Sequence, residues 1–209
     1  MAGDTSVYLE VGQTWTFACA LDWPGWCRRG KGPEAAIEEL LRYVPRYAAV
    51  FGGAFKPGPI RVIGEVPGSA TTDFGAPGAI GEWDRADLAR KDANRLAGLL
   101  ERLWTAFDRT ASAAPPALRK GPRGGGRDRD AIVEHVREAE RSYGRKLGVR
   151  VPPRTPWPEQ RAALVEAVRS GPSGGDWPAR YLVRRIGWHV LDHAWEIEDR
   201  TEESSGRPR

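Results

Sequence analysis

The stretch RYLVRRIGWHVLDHAWEIEDR, residues 180–200, decides how the chain is read. Leu182, Ile186, Val190, His193 and Ile197 recur at three- and four-residue steps, which is the period of a helix burying one face. His189 and His193 lie four apart, so their rings stand on one side of that helix, one turn from each other. Working outward, an 82–200 segment with the same period precedes and contains this helix. Leu88, Leu96, Leu99, Leu100, Leu103, Trp104 and Phe107 give a long first helix over 84–109. Ile132, Val136, Ala139 and Tyr143 give a second over 129–147, which Gly148 is placed to end. A third is expected over 158–170 and a fourth over 177–200. Four amphipathic helices bury their stripes only against each other, so a four-helix bundle is expected.

Residues 1–81 read differently. SVYLEVGQTWTFACALDW, residues 6–23, offers extended runs at 7–11 and 14–21 around Gly12-Gln13, rich in residues that suit a pleated surface. Pro24-Gly25 breaks the chain. Pro33 starts a helix striped by Ile37, Leu40, Leu41, Val44 and Tyr47, with Pro45 kinking it. IRVIGEV, residues 60–66, is a further strand, and 67–81 reads as a Gly/Pro-rich loop. The fold class expected is therefore α+β. A small N-terminal strand/helix unit (1–81) precedes a four-helix bundle (82–200) and a disordered tail (201–209), with the N-terminal unit packed on the bundle because its tryptophans leave too much apolar surface to tumble free.

Composition narrows the classes. The 209 residues are 40% hydrophobic and 29% charged, as in a globular domain with a real core. No run of about 18 apolar residues is present and the N-terminus lacks a secretory pattern, so no membrane span and a cytoplasmic location are expected. Net charge is +4, yet residues 1–80 hold 7 Lys/Arg against 8 Asp/Glu and residues 81–209 hold 25 against 20. The basic residues interleave with acids along helix faces, the pattern of solvated surfaces rather than of a nucleic-acid footprint. The dense RKGPRGGGRDR, residues 119–129, reads as a linker. Cys19 and Cys27 have no zinc spacing and are expected to be two free thiols.

The three histidines of the chain all fall on helices, His135 on the inward stripe of the second and His189 and His193 on that of the fourth. Buried imidazoles need partners, and one ion would satisfy a nitrogen on each. Three neutral imidazoles with an open position suit a divalent metal, zinc first, with nickel, iron or manganese as alternatives. The ring nitrogens are then expected to approach to about 3–4 Å. Glu196, three residues after His193, can orient a ring or take a proton, and Asp92, which interrupts the stripe of the first helix, is the other candidate catalytic carboxylate or else a salt-bridged stripe-edge residue. Tyr143 and most of the nine tryptophans read as packing.

AIVEHVREAERSYGRKLG (131–148) and the residues 180–200 quoted above resemble the second and fourth helices of the DinB/YfiT-like superfamily, and the resemblance spans about residues 82–200. It implies a four-helix bundle with metal ligands at His135, His189 and His193. It also implies a metal-dependent transferase, isomerase or hydrolase acting on a small molecule, with a low-molecular-weight thiol such as mycothiol or bacillithiol as co-substrate. FACALDWPGWCRRGKGPEAAIEELLRY (17–43) is similar to the HicB antitoxin pattern, whose core runs strand–strand–strand–helix–strand. That similarity implies, as the alternative, a non-catalytic binding or antitoxin-like regulatory module with a structural metal. The N-terminal unit would otherwise serve as a lid or as the surface of a homodimer.

Overall fold

The computed structural model describes residues 3–120, 125–171 and 174–201. It is a mixed α+β protein. Strands β1 (Thr5–Val11), β2 (Thr16–Ala20) and β3 (Cys27–Gly30) are followed by helices α1 (Pro33–Arg42) and α2 (Val44–Phe51), then by β4 (Ile60–Pro67). Short helices α3 (Ala70–Phe74) and α4 (Glu82–Arg85) lead to four long ones: α5 (Arg90–Ala113), α6 (Arg129–Leu147), α7 (Trp157–Ser170) and α8 (Ala179–Thr201). No described helix is long and apolar enough to cross a membrane. Of the linker and tail read from the sequence, residues 121–124 and 202–209 lie outside the described residues.

The strands form one sheet in the order β3-β2-β1-β4, antiparallel except for the parallel pair β1/β4. Strand alternation splits the side chains between two buried faces. Val7, Leu9, Ala18, Ala20 and Trp26 join the main core with Leu40, Tyr47, Phe51 and Phe55. Tyr8, Phe17, Cys19 and Cys27 form a second cluster on the other face, closed by Trp188 of α8 and edged by Trp83. The main core runs without a break into the leucines of α5 and the Ile/Val stripe of α8. The N-terminal unit therefore packs on the helices, as its apolar surface demands. The long helices contact one another in a ring: α5 on α8, α8 on α6, α6 on α7 and α7 on α5.

Several boundaries differ from the sequence reading. The first long helix is split: α4 ends at Arg85, and α5 starts only after Ala89 turns extended at φ −60°, ψ 147°. Asp84 anchors the short α4. One carboxylate oxygen caps the Gly81 N–H at 2.9 Å while the group also receives Arg184 of α8, and both are buried. Pro45 ends the first helix rather than bending it, so α2 starts afresh with proline in its first turn. The expected loop 67–81 contains α3, opened by a capping box at Ser69 and closed by left-handed Gly75. That turn of helix aims Asp73 back at the β1–β2 connection, where its carboxylate accepts the N–H groups of Gln13, Thr14 and Trp15. On α6, Glu140 rather than Ala139 lies in the interior. Its charge is met by Trp157 Nε1 at 2.6 Å and Arg161 Nε at 3.2 Å.

The tip of the β2–β3 hairpin docks on α8 through two glycines. Gly25 has φ +90°, a conformation L side chains avoid, and a Cβ added to it would lie 2.8 Å from the carbonyl oxygen of Gly187. A Cβ on Gly187 would meet Leu103 at 2.9 Å and the Gly25 nitrogen at 3.0 Å. Alanine is the better helix former by about 1 kcal/mol, but overpacking at such a contact costs about 1–3 kcal/mol. Gly187→Ala should therefore lower the urea midpoint followed by tryptophan fluorescence, and an unchanged or raised midpoint would contradict this docking.

Candidate metal centre

Helices α6 and α8 pack side by side, and the seam between them gathers the three histidines. His189 and His193 come from α8, one turn apart, and His135 reaches across from α6. The Nε2 atoms of His135 and His189 are 3.2 Å apart. Ring centroids lie 4.6 Å apart for His189/His193 and 5.0 Å for each pair that includes His135. One ligand nitrogen from each ring falls within 4.8 Å of the others. A tetrahedral ion with bonds of 2.0–2.1 Å needs nitrogens about 3.4 Å apart. One pair meets the expected approach of about 3–4 Å, and the set of three is held only to within 4.8 Å.

The site sits on the flank of the helices rather than at their centre, which corrects the expectation that all three rings point inward. His189 is buried, at 6% exposure, whereas His135 and His193 are half-buried. On α6 the buried positions are Ile132, Val136, Glu140, Gly144 and Leu147. His135 stands about a third of a turn from the middle of that stripe, so its ring faces α8 along the seam.

The ring chemistry suits metal binding. His193 places Nδ1 2.8 Å from Glu196 Oε2, so Nδ1 carries a proton and Nε2 is the nitrogen left for a metal. Arg200 Nη1 donates to the other Glu196 oxygen at 2.7 Å. The hydrogen bond from His193 comes first among the groups that hold the Glu196 carboxyl below its ordinary value. Burial lowers His135, with His193 adding to the effect. Burial lowers His189 much further, and the charges of His193, Arg185, His135 and Arg127 act in the same direction. Both rings are thus neutral at pH 7, the form that binds a metal. Within the protein, the buried Nδ1 of His189 has no hydrogen-bond partner and its Nε2 meets only another imidazole. A cation among the three rings would give that Nε2 a proper partner, so the residues present fit a divalent ion. Among the described residues no other set of His, Cys, Asp or Glu side chains gathers closely enough to hold one.

Glu196 stands where the sequence placed it. Asp92 does not: it lies on the first turn of α5, half-exposed, with Arg180 at 3.6 Å. Arg180 precedes His189 by nine residues, about 13 Å along the helix, so the salt-bridged reading of Asp92 holds and it takes no part in this site. The walls are groups that sequence reasoning gave to packing or passed over. The Tyr143 ring is 5.8 Å from that of His189 and the Trp188 ring 6.1 Å. Arg185 lies over Tyr143 at 5.1 Å and over Trp188 at 4.7 Å. Arg185 and Arg200 had a legible signal, being one turn before His189 and one turn after Glu196; Tyr143 depended on how α6 and α8 meet.

No protein-family model, curated protein or solved structure matches this chain. The geometry alone makes a prediction. Carboxylates that orient ligand imidazoles are worth about 10–100-fold in metal affinity. Glu196→Gln should weaken zinc binding by that factor in a competition titration without changing the circular dichroism spectrum. An affinity within twofold of wild type would remove Glu196 from the site.

Proposed function

We propose that the chain is a metal-dependent enzyme of the DinB/YfiT-like kind that transfers or hydrolyses a group on a small molecule, with a low-molecular-weight thiol as the favoured co-substrate. One observation carries the reading: three imidazoles from two helices meet on one seam, two of them held neutral and the third turned by a carboxylate. Their placement supports the family assignment, since α6 and α8 are the second and fourth of the four long helices and bear one and two histidines respectively.

His135, His189 and His193 would be the ligands, and zinc is the first choice for three imidazoles with an open position. A divalent cation bound there supplies Lewis-acid activation, lowering the pKa of a thiol or water at neutral pH. Glu196 fixes the ring of His193 through Nδ1, which would leave Nε2 for the metal. Burial keeps His189 unprotonated, and Arg200 prevents Glu196 from swinging away. Tyr143 and Trp188 form apolar walls that exclude water from one side, and burial keeps the Tyr143 hydroxyl protonated. A small thiol or amide would approach from the flank, where His135 and His193 are half-buried.

The test loads purified, untagged protein with zinc, nickel, iron or manganese and follows thiol transfer to small electrophiles. His189→Ala should lose the metal and at least 100-fold in rate while keeping its helix content, since α8 rests on Leu182, Ile186, Val190 and Ile197. Equal rates for the two proteins, or no metal bound with better than millimolar affinity, would overturn the proposal.

A further inference from the structure

The two cysteines are free thiols, as read from the sequence, and they are directly paired across β2 and β3. We propose that Cys19 and Cys27 form a reversible disulfide that locks the β2–β3 hairpin. This proposal is independent of the metal.

The register makes the pairing specific. The Ala20 N–H donates to the Trp26 carbonyl at 3.0 Å, so Ala20/Trp26 is a hydrogen-bonded position and the next pair, Cys19/Cys27, is not. The Cys27 N–H turns instead to the Gly25 carbonyl. Non-hydrogen-bonded positions bring Cα atoms to about 4.5 Å, within the roughly 4.4–6.8 Å range a disulfide spans. Both side chains point to the same buried face, and their Sγ atoms are 2.6 Å apart. Tyr8, Phe17 and Trp188 complete that cluster, and the chain has no third cysteine.

The same surroundings set how the bond forms. Burial, with Cys19 beside it, raises the Cys27 thiol well above its ordinary value, which keeps it protonated while the sheet is closed. β3 is the edge strand and only four residues long, so its opening admits a small reagent. With a low-molecular-weight disulfide as oxidant, one cysteine thiolate attacks a sulfur and releases one small thiol. The second cysteine then attacks the protein sulfur of the mixed disulfide and releases the other. Two protein thiols become one disulfide, losing two protons and two electrons, and the reagent is reduced to two thiols. The loop so closed contains Pro24 and Gly25, the turn seated on Gly187 of α8.

The experiment incubates the whole chain with oxidised glutathione, both folded and during refolding from urea, and then counts thiols and measures intact mass. Wild type should lose both thiols together and become lighter by two hydrogens, with no bound glutathione. It should run as a monomer on a non-reducing gel, regain both thiols with dithiothreitol, and melt several degrees higher when oxidised. Cys27→Ala should keep its single thiol or gain one glutathione, with no such shift in melting. Glutathione adducts or cross-linked dimers of wild type, two thiols surviving the refolding arm, or an oxidised form that melts lower would each overturn the proposal.

Discussion

The close approach of Gly25 and Gly187 sets the frame for the rest of the molecule. It lets the backbone of a hairpin turn rest on the backbone of a helix with no side chain between them. α8 is thereby shared: its Leu182/Ile186/Val190 stripe belongs to the helices, while Trp188 closes the second face of the sheet. Gly187 weakens its own helix by about 1 kcal/mol relative to alanine, and burial of the aromatics around the hairpin offsets that. Trp23 and Trp26 both pack against Tyr47 and Phe55 beneath the same turn. With α8 held in this way from both sides, its third face, which carries Arg185, His189, His193 and Glu196, is presented to α6.

Buried charge then fixes the register of α8. Arg184 reaches Asp84 through Nε and Nη2 and donates from Nη1 to the Tyr8 hydroxyl at 2.5 Å, tying helix, sheet and the α4 turn together. Such pairs add little net stability against an apolar alternative, but removing one partner costs about 3–5 kcal/mol because the other is left buried and unpaired. A slipped α8 would pay that penalty. On the far side of the helices, Arg161 does the same for α7: it meets buried Glu140 of α6 and both carboxylate oxygens of Asp108 of α5, with its guanidinium 3.9 Å from the Trp157 ring centroid. In the histidine seam the carboxylate of Glu196 joins Arg200 to the ring of His193, and His135 and His189 are the other two rings. Burial keeps those two neutral, a state that suits a cation ligand.

Much of this was legible in the sequence where one local signal dominates. α6 begins and ends where its apolar period and Gly148 place it, and α8 differs from its expected span by two residues at one end and one at the other. The i, i+4 spacing of His189 and His193 and the i, i+3 step to Glu196 needed only helix geometry. What was not legible depends on partners distant in sequence. Asp84 is buried in α4 because Arg184, a hundred residues away, is there to receive it. α3 forms within a Gly/Pro-rich stretch because Ser69 and Thr72 cap it, and Thr72 and Asp73 then hold Glu10 and the Gly12–Trp15 turn. Glu140 is interior because Arg161 and Trp157 arrive from α7. His135 was placed on the right helix and the wrong part of its circumference, because a stripe drawn through Ala139 ignores the buried carboxylate beside it. Asp92 interrupts an apolar stripe, yet the ends of α5 and α8 give it Arg180 and solvent.

The central claim is that a metal is held by three imidazoles and no sulfur, and zinc K-edge X-ray absorption of the zinc-loaded, untagged protein addresses it directly. The account predicts a nitrogen/oxygen shell at about 2.0–2.1 Å with the outer-shell multiple scattering of three imidazoles, which Cys19→Ala and Cys27→Ala leave unchanged. A sulfur shell at about 2.3 Å, or a spectrum fitted by oxygen ligands without imidazole scattering, would contradict it.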